Sequence, residues 1–570
     1  SARDLITYRS INNTKRAVFG TSDKLYAHNG DTITDITPIV TAVTLANVFG
    51  TSSGSTRVCC SDAGHGRAVG DYVYFTSTAT FNAVSLSTNV YPVTSVVNSG
   101  VFTISVTDAA NATASDVGSA TFNYLLPTGN SIAVAGLGYG AAAFQATVCA
   151  SQTRAWNEPS SADASDIVFD ISQWSLDNWG DDVIANRSGG NIYYFDSDAS
   201  TVPIRATSIT TSPISVNSIV ISPNDRHLIC LGANSYSPTA TVSGTFDPML
   251  VRWSDQDDRT NWVPSLTTTS GEVVLTDGTK IIGGLRSRNA VHIWTDNAMW
   301  TMQFVGPPFT FKFTPVGTNC GMIAPHAAVD YNGISYWMGY DNFYKYDGQV
   351  RVLDCTVRRF IFDRLATKYK AKVYTGVNSE FKEIIWLYAS TNSGVTECDS
   401  YVIFSPENNY WTYGTGVFTT FEDKEVFGNT ITTGVSINAD GDSTGNNKLF
   451  NNEPADYYTE NNRTITSFVE SADFDIEDGN QILFMNRLIP DFQLKKGSNF
   501  DGEITAKIIT KKYPESSDEI TKEFVLNTNT DKVNFRARGR QAKIRVSCAS
   551  NNTNWQWGSV RLGFQPDGER

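Results

Sequence analysis

The chain has 570 residues, of which 41% are hydrophobic and 12% aromatic, while only 18% are charged. That balance excludes a disordered chain and supports a substantial core shared among about two to four domains. Its 44 Lys and Arg against 58 Asp and Glu give a formal charge of −14, which excludes the chain-wide basic footprint of a specific DNA reader.

The opening segment, SARDLITYRS, is polar and does not read as a signal peptide. The chain starts at Ser1 without a Met, which predicts that a few residues are removed. KLYAHNGDTITDITP (Lys24 to Pro38) then reads as a short aromatic strand, a Gly/Asp/Asn turn and a second strand. Similar units recur as NIYYFDSDAS from Asn191, ISYWMGYDNFYKYDGQVRVL from Ile334 and NKLFNNEP from Asn447, and KEIIWLYAS from Lys382 pairs with YVIFSPENNYWTYGTG from Tyr401. The D-G step inside FYKYDGQVRV is a hairpin signal. Recurrent hairpins at uneven spacing predict the blades of a β-propeller without fixing their number.

Between residues 40 and 127 aromatics thin out, and Val, Thr, Ser and Ala alternate over short strands. This predicts a small β-barrel or sandwich inserted into the first blade. His65 lies there between Gly64 and Gly66, and as one of only five His it reads as a turn residue rather than a metal ligand. Gly136, Gly138 and Gly140 follow in a G-x-G-x-G run. Without a βαβ context it reads as a glycine–aromatic loop, not a dinucleotide fingerprint.

WSDQDDRTNW (Trp253 to Trp262) offers Asp255, Asp257 and Asp258. A calcium loop wants oxygen ligands at alternate positions, then Gly. Arg259 and Thr260 break that pattern, so a solvated blade turn is expected. The aspartate box of propeller sialidases, S-x-D-x-G-x-T-W, also fails here: Gln256 and Asp258 replace its Asp and Gly, and Trp262 falls one residue late. Trp253, Trp262, Trp294, Trp300, Trp337, Trp386 and Trp411 are expected in the core.

After Cys355, TVRRFIFDRLATKYKA predicts the one clear helix, with Val357, Phe360, Ile361 and Leu365 on one face. From about residue 466 the alternation of ITAKIIT and AKIRVS predicts a separate β-sandwich-like region packed against the propeller. Within it, KVNFRARGRQAKIRV places Arg536, Arg538 and Arg540 on one strand face. They suit phosphates or, more simply, an acidic neighbouring subunit or solvent, because no aromatics interleave them for base stacking.

The eight Cys (59, 60, 149, 230, 320, 355, 398 and 548) form no C-x-x-C pair and read as reduced thiols buried in strands. No apolar stretch approaches the ~18 residues of a membrane span. No Walker loop and no H-E-x-x-H motif is present, and the G-x-S-x-G strings at Gly50–Gly54 and Gly441–Gly445 are not read as nucleophile elbows.

Long strings carry a family likeness: QFVGPPFTF, GTNCGMIAPHAAVDYNG, CTVRRFIFD, ECDSYVIF, SADFDIEDGNQILF and the closing RLGFQPDGER. From about Tyr26 to Arg570 the chain resembles the tail nozzle, or tail tubular protein B, family of short-tailed bacteriophages. The resemblance implies a homohexamer in the virion tail, assembled in the host bacterial cytoplasm. It would bind a tail adaptor above and tail fibres or spikes at the side, retain packaged genomic DNA and conduct it without sequence specificity into the host. A negatively lined wall would lower phosphate affinity during passage. No catalytic, cofactor-binding or metal residue and no cofactor carries over from the family, so the chain is expected not to be an enzyme; GLGYGAA is a candidate gate segment.

The expected fold is all-β: a β-propeller with an inserted small β-barrel or sandwich module and a C-terminal β-sandwich-like region. Residues 1–39 start the propeller, 40–127 form the insert, 128–465 the propeller and 466–570 the C-terminal platform. The alternative function is a tail-borne receptor-binding or polysaccharide-degrading β-propeller, which would need paired carboxylates across a cleft.

Overall fold

In a computed structural model the regular structure of the described residues is almost entirely β. Residues 1–127, 171–198, 205–239, 244–392, 396–437, 443–452, 459–460, 463–464, 466–476, 480–496, 503–513, 516, 519–549 and 553–568 are described. The glycine run at Gly136–Gly140, and with it the GLGYGAA gate candidate, lies outside them. The chain divides into two compact units, Ser1–Gly434 and Val435–Arg570.

The first unit is a seven-bladed propeller. Six antiparallel four-stranded sheets span Ala2–Asp35, Trp174–Ser208, Val216–Val274, Ile281–Thr318, Ala328–Val352 and Tyr374–Thr415, and a seventh opens with Phe418–Glu422 paired to Ile431–Ile437. The first strand of each sheet lies against the first strand of the next. The ring closes where Phe418–Glu422 packs on Ala2–Arg9, so the start of the chain forms the inner strand at the seam.

Local sequence makes each blade. In the fifth, Phe343–Tyr346 and Val350–Val352 pair across the D-G turn, with Gly348 at φ 104° where a side chain would be strained. Between blades, flat aromatic and apolar faces meet: Trp294, Trp337 and Trp386 are fully buried in one continuous core with Met322, Phe343 and Ile361. The predicted helix is there, as Arg358–Arg364 followed by a 3-10 turn over Thr367–Lys372. Ile361 and Leu365 are buried on it while Val357 and Phe360 are partly so, as the expected face requires.

The insert is a closed six-stranded barrel running from Ile39 to Leu125, filled by Phe49, Phe75, Phe102 and Phe122. Arg205 pins it to the propeller by stacking on Tyr74 (4.8 Å to the ring centre) while pairing with Asp35 at 3.1 Å. In the second unit, sheets of four, three and two strands enclose a core of Leu483, Met485, Ile508 and Val546. Among the described residues no helix is long and apolar enough to cross a membrane.

Among the described cysteines the chemistry departs from expectation at Cys59, while Cys149 lies outside the described residues. Cys60, Cys230, Cys320, Cys355, Cys398 and Cys548 are free thiols, but Cys59 is disulfide-bonded. Strand alternation explains the difference: neighbours on one strand face opposite ways, so Cys59 and Cys60 meet different surroundings.

Candidate functional site

The seven inner strands enclose a bore of about 470 Å³, the natural place for a propeller to bind or act. Its wall carries carboxyl groups that a reading of motifs does not single out: Asp4, Asp177 and Glu422, with Tyr374, His326 and Arg286. The signal was there in SARDLIT and SLDNW, where an Asp interrupts an otherwise strand-like run.

Two of these acids are stitches between blades. Asp4 Oδ2 accepts the Leu176 amide of the second blade at 2.7 Å, and Oδ1 accepts the Leu5 amide at 2.9 Å and the Tyr374 hydroxyl at 3.3 Å. Asp177 repeats the device one blade on, accepting the Ile221 amide at 2.7 Å, with Arg286 at 3.5 Å. His326 donates from Nε2 to the Trp174 carbonyl at 2.7 Å and sets Nδ1 3.7 Å from Asp4. Burial raises the pKa of both Asp4 and Asp177, partly offset by the His326 and Arg286 charges respectively.

Glu422 differs. It stands at the seam, takes one long hydrogen bond from the Thr7 hydroxyl at 3.4 Å, and faces Asp4. Burial, then the Asp4 charge, push its pKa up to about 8, so it is a proton donor near neutral pH. Tyr374 is raised well above its ordinary value by burial and then by Asp4 and Glu422. A protonated carboxyl, a second carboxyl and a phenol in one bore can exchange protons or hydrogen-bond a polyhydroxylated molecule.

Next to Asp4 on the same inner strand, Arg3 joins Lys372 in holding Glu397, at 2.7 and 2.8 Å. Burial alone would raise Glu397, but the Arg3 hydrogen bonds and both cationic charges outweigh it and hold the carboxyl at about 2.

The motifs singled out in the sequence have structural duties. Asp255 accepts the Thr269 amide at 2.8 Å and hydroxyl at 2.6 Å, Asp257 pairs with Arg226 at 2.8 Å, and Asp258 accepts the Thr260 amide at 2.8 Å. The three carboxylates therefore diverge instead of converging on one cation. His65 is buried, accepting the Arg67 amide at 2.9 Å, with its other ring nitrogen 3.0 Å from the Asn98 carbonyl. Arg536 and Arg538 share an exposed strand face, whereas Arg540 lies just past the strand end and donates to the Asn480 carbonyl at 2.9 Å.

No family model and no curated protein matches this chain. Solved structures similar to it include a phage phi92 endosialidase (13% identity, covering 93% of this chain and 77% of that one, TM-score 0.19). Another is an exo-β-1,3-galactanase from Phanerochaete chrysosporium (9% identity, covering 68% and 95%, TM-score 0.21). A glycoside hydrolase matches at 11% identity, covering 60% and 96%, with a TM-score of 0.19. All three are named as enzymes, which runs against the expectation that this chain is not one. At these identities and TM-scores the likeness assigns no substrate, reaction or role to this chain.

Proposed function

We propose that this chain is a component of a short-tailed phage tail and forms the nozzle at the lower end of its channel, as a homohexamer joined to an adaptor and to fibres or spikes. The observation that carries this reading is where the family-like string QFVGPPFTF lies. It forms the tip of the long hairpin Ala298–Gly306/Thr310–Thr318, with Phe309 79% exposed and Val305 52% exposed. Thr310 donates to the Thr269 carbonyl at 3.1 Å, tying this tip to the loop that carries the fully exposed Leu266. Exposed apolar side chains at a hairpin tip of a packed propeller suit a protein–protein contact, as an assembly subunit needs. The decisive measurement is the copy number in purified virions by quantitative mass spectrometry. Half as many copies as portal subunits supports the nozzle; absence from virions rejects it.

A second reading, a tail-borne propeller that binds or degrades polysaccharide, is favoured by the bore. There Glu422 is a proton donor beside Asp4 and Tyr374, the kind of unequal carboxyl pair that acid-assisted glycoside cleavage uses. Incubation with host surface glycans tests it: reducing ends that appear with the native chain and not with Glu422→Gln support this reading, and their absence leaves the nozzle alone.

A further inference from the structure

The second unit has two charged sheet faces of opposite design. On the sheet of Ser467–Glu470, Gln541–Cys548, Ile504–Lys511 and Glu519–Leu526, the cations are neutralised across strands. Lys507 pairs with Glu523 at 2.9 Å, Lys511 with Asp473 at 3.3 Å, and Lys543 and Arg545 with Glu470 at 3.3 and 3.2 Å.

The sheet of Val533–Gly539, Leu483–Ile489 and Arg561–Pro566 is built differently. Ala537, Leu483, Met485 and Leu488 point into the core, so alternation turns Arg536 and Arg538 outward. Register adds Arg487, opposite Asn534 and Gly563, and Arg561, opposite Ile489. A Cβ at Gly563 would sit 2.6 Å from Asn486 Oδ1, 3.2 Å from Arg487 Cβ and 3.4 Å from its Nε, so the glycine leaves room for both side chains over the sheet. Of these four arginines only Arg538 has a carboxylate partner among the described residues, Asp567 at 2.5 Å. The polar neighbours on the face, Asn486, Asn534 and Gln565, carry no charge.

We infer that this arginine face is a docking surface for the phosphate backbone of duplex nucleic acid, bound without sequence preference. On a chain whose formal charge is −14, cations left unneutralised on one face form a local positive patch complementary to an external polyanion. A stable protein partner would require an apolar centre ringed by polar groups, and this face has only the half-buried Phe484 and Ile489. Protein–DNA contacts are instead polar, positive and rich in Arg. The absence of stacking aromatics between the arginines selects backbone contact with a duplex over a single strand. The inference deepens the conduit reading, which supplies the DNA, and rests on it for biological context; the face itself can be tested without virions.

The test is binding of the purified full-length chain to a short random-sequence duplex, followed by fluorescence anisotropy over a series of salt concentrations. The expected result is binding at low salt that weakens log-linearly with salt, by a slope of about 0.9 for each phosphate contacted. Arg536→Gln with Arg561→Gln should weaken binding about tenfold and reduce the slope by about two. An unchanged melting temperature shows that these exposed substitutions leave the fold intact. No binding at low salt, or equal binding by the variant, overturns the inference. So does low-salt self-association that the same substitutions abolish, since a second copy would then occupy the face. A chain that binds DNA but is missing from virions sinks the nozzle and leaves this surface standing.

Discussion

Arg3, in the strand that closes the propeller, grips Glu397 of the sixth blade through two hydrogen bonds of 2.7 and 3.0 Å. The Arg3 side chain is almost wholly buried, so the pair ties the first inner strand to the ring from inside. Arg3→Ala leaves Glu397 with Lys372 alone and should destabilise the propeller by about 3 kcal/mol. Glu397 also gives the seam an acid limit. Its pKa is held at about 2 against an ordinary 4.5, so its contribution is complete above 4.5 and is lost as pH falls from there towards 2. Melting temperatures of both proteins across that window check this: the difference between them should shrink as pH falls.

Glu422 works in the opposite sense. Its pKa is raised from 4.5 to about 8, so the native state binds a proton that the unfolded chain has released. Its effect is absent below 4.5, grows as pH rises towards 8 and is constant beyond. Glu422→Gln keeps a neutral hydrogen-bonding group at that place. The variant should melt with the native chain in acid and above it in mild alkali. Parallel melting curves at all pH values would show that the Glu422 carboxyl does not titrate in this window.

Gly20 lies under the Trp174 indole at the joint between the first two blades. A Cβ there would sit 2.2 Å from Trp174 Cγ, a distance no relaxation of a fully packed indole absorbs cheaply. Gly20→Ala should cost about 1–3 kcal/mol through overpacking, seen as a lower urea midpoint. Trp174 donates to the Thr21 carbonyl at 2.9 Å, so its fluorescence reports the same displacement.

Phe309 separates assembly from folding. It is 79% exposed at the hairpin tip, so Phe309→Asp should leave the melting temperature unchanged. If the tip is an assembly contact, the variant should enter virions in reduced amount. Full incorporation would show that the tip faces solvent in the virion.

The sequence by itself determined the class of the fold, because strand alternation, turn residues and aromatic content are local properties. Its reading of Asp347–Gly348 as a hairpin turn, of residues 40–127 as a β insert and of a helix within Thr356–Ala371 needed only neighbours along the chain, although the α-helix itself stops at Arg364. The number of blades could not be read that way: uneven loops hide the period, and closure depends on Ala2–Arg9 meeting Phe418–Glu422 far along the chain. The bore was equally hidden. Asp4, Asp177 and Glu422 become one site only when the seven inner strands converge, and the folded surroundings then separate their roles. Amides from the next blade occupy Asp4 and Asp177, while the seam leaves Glu422 facing another acid with one long hydrogen bond. The same physics sorts the C-terminal charges. Alternation places Arg536 and Arg538 on one face from sequence, but only cross-strand register brings Arg487 and Arg561 beside them and gives the cations of the opposite sheet their carboxylates.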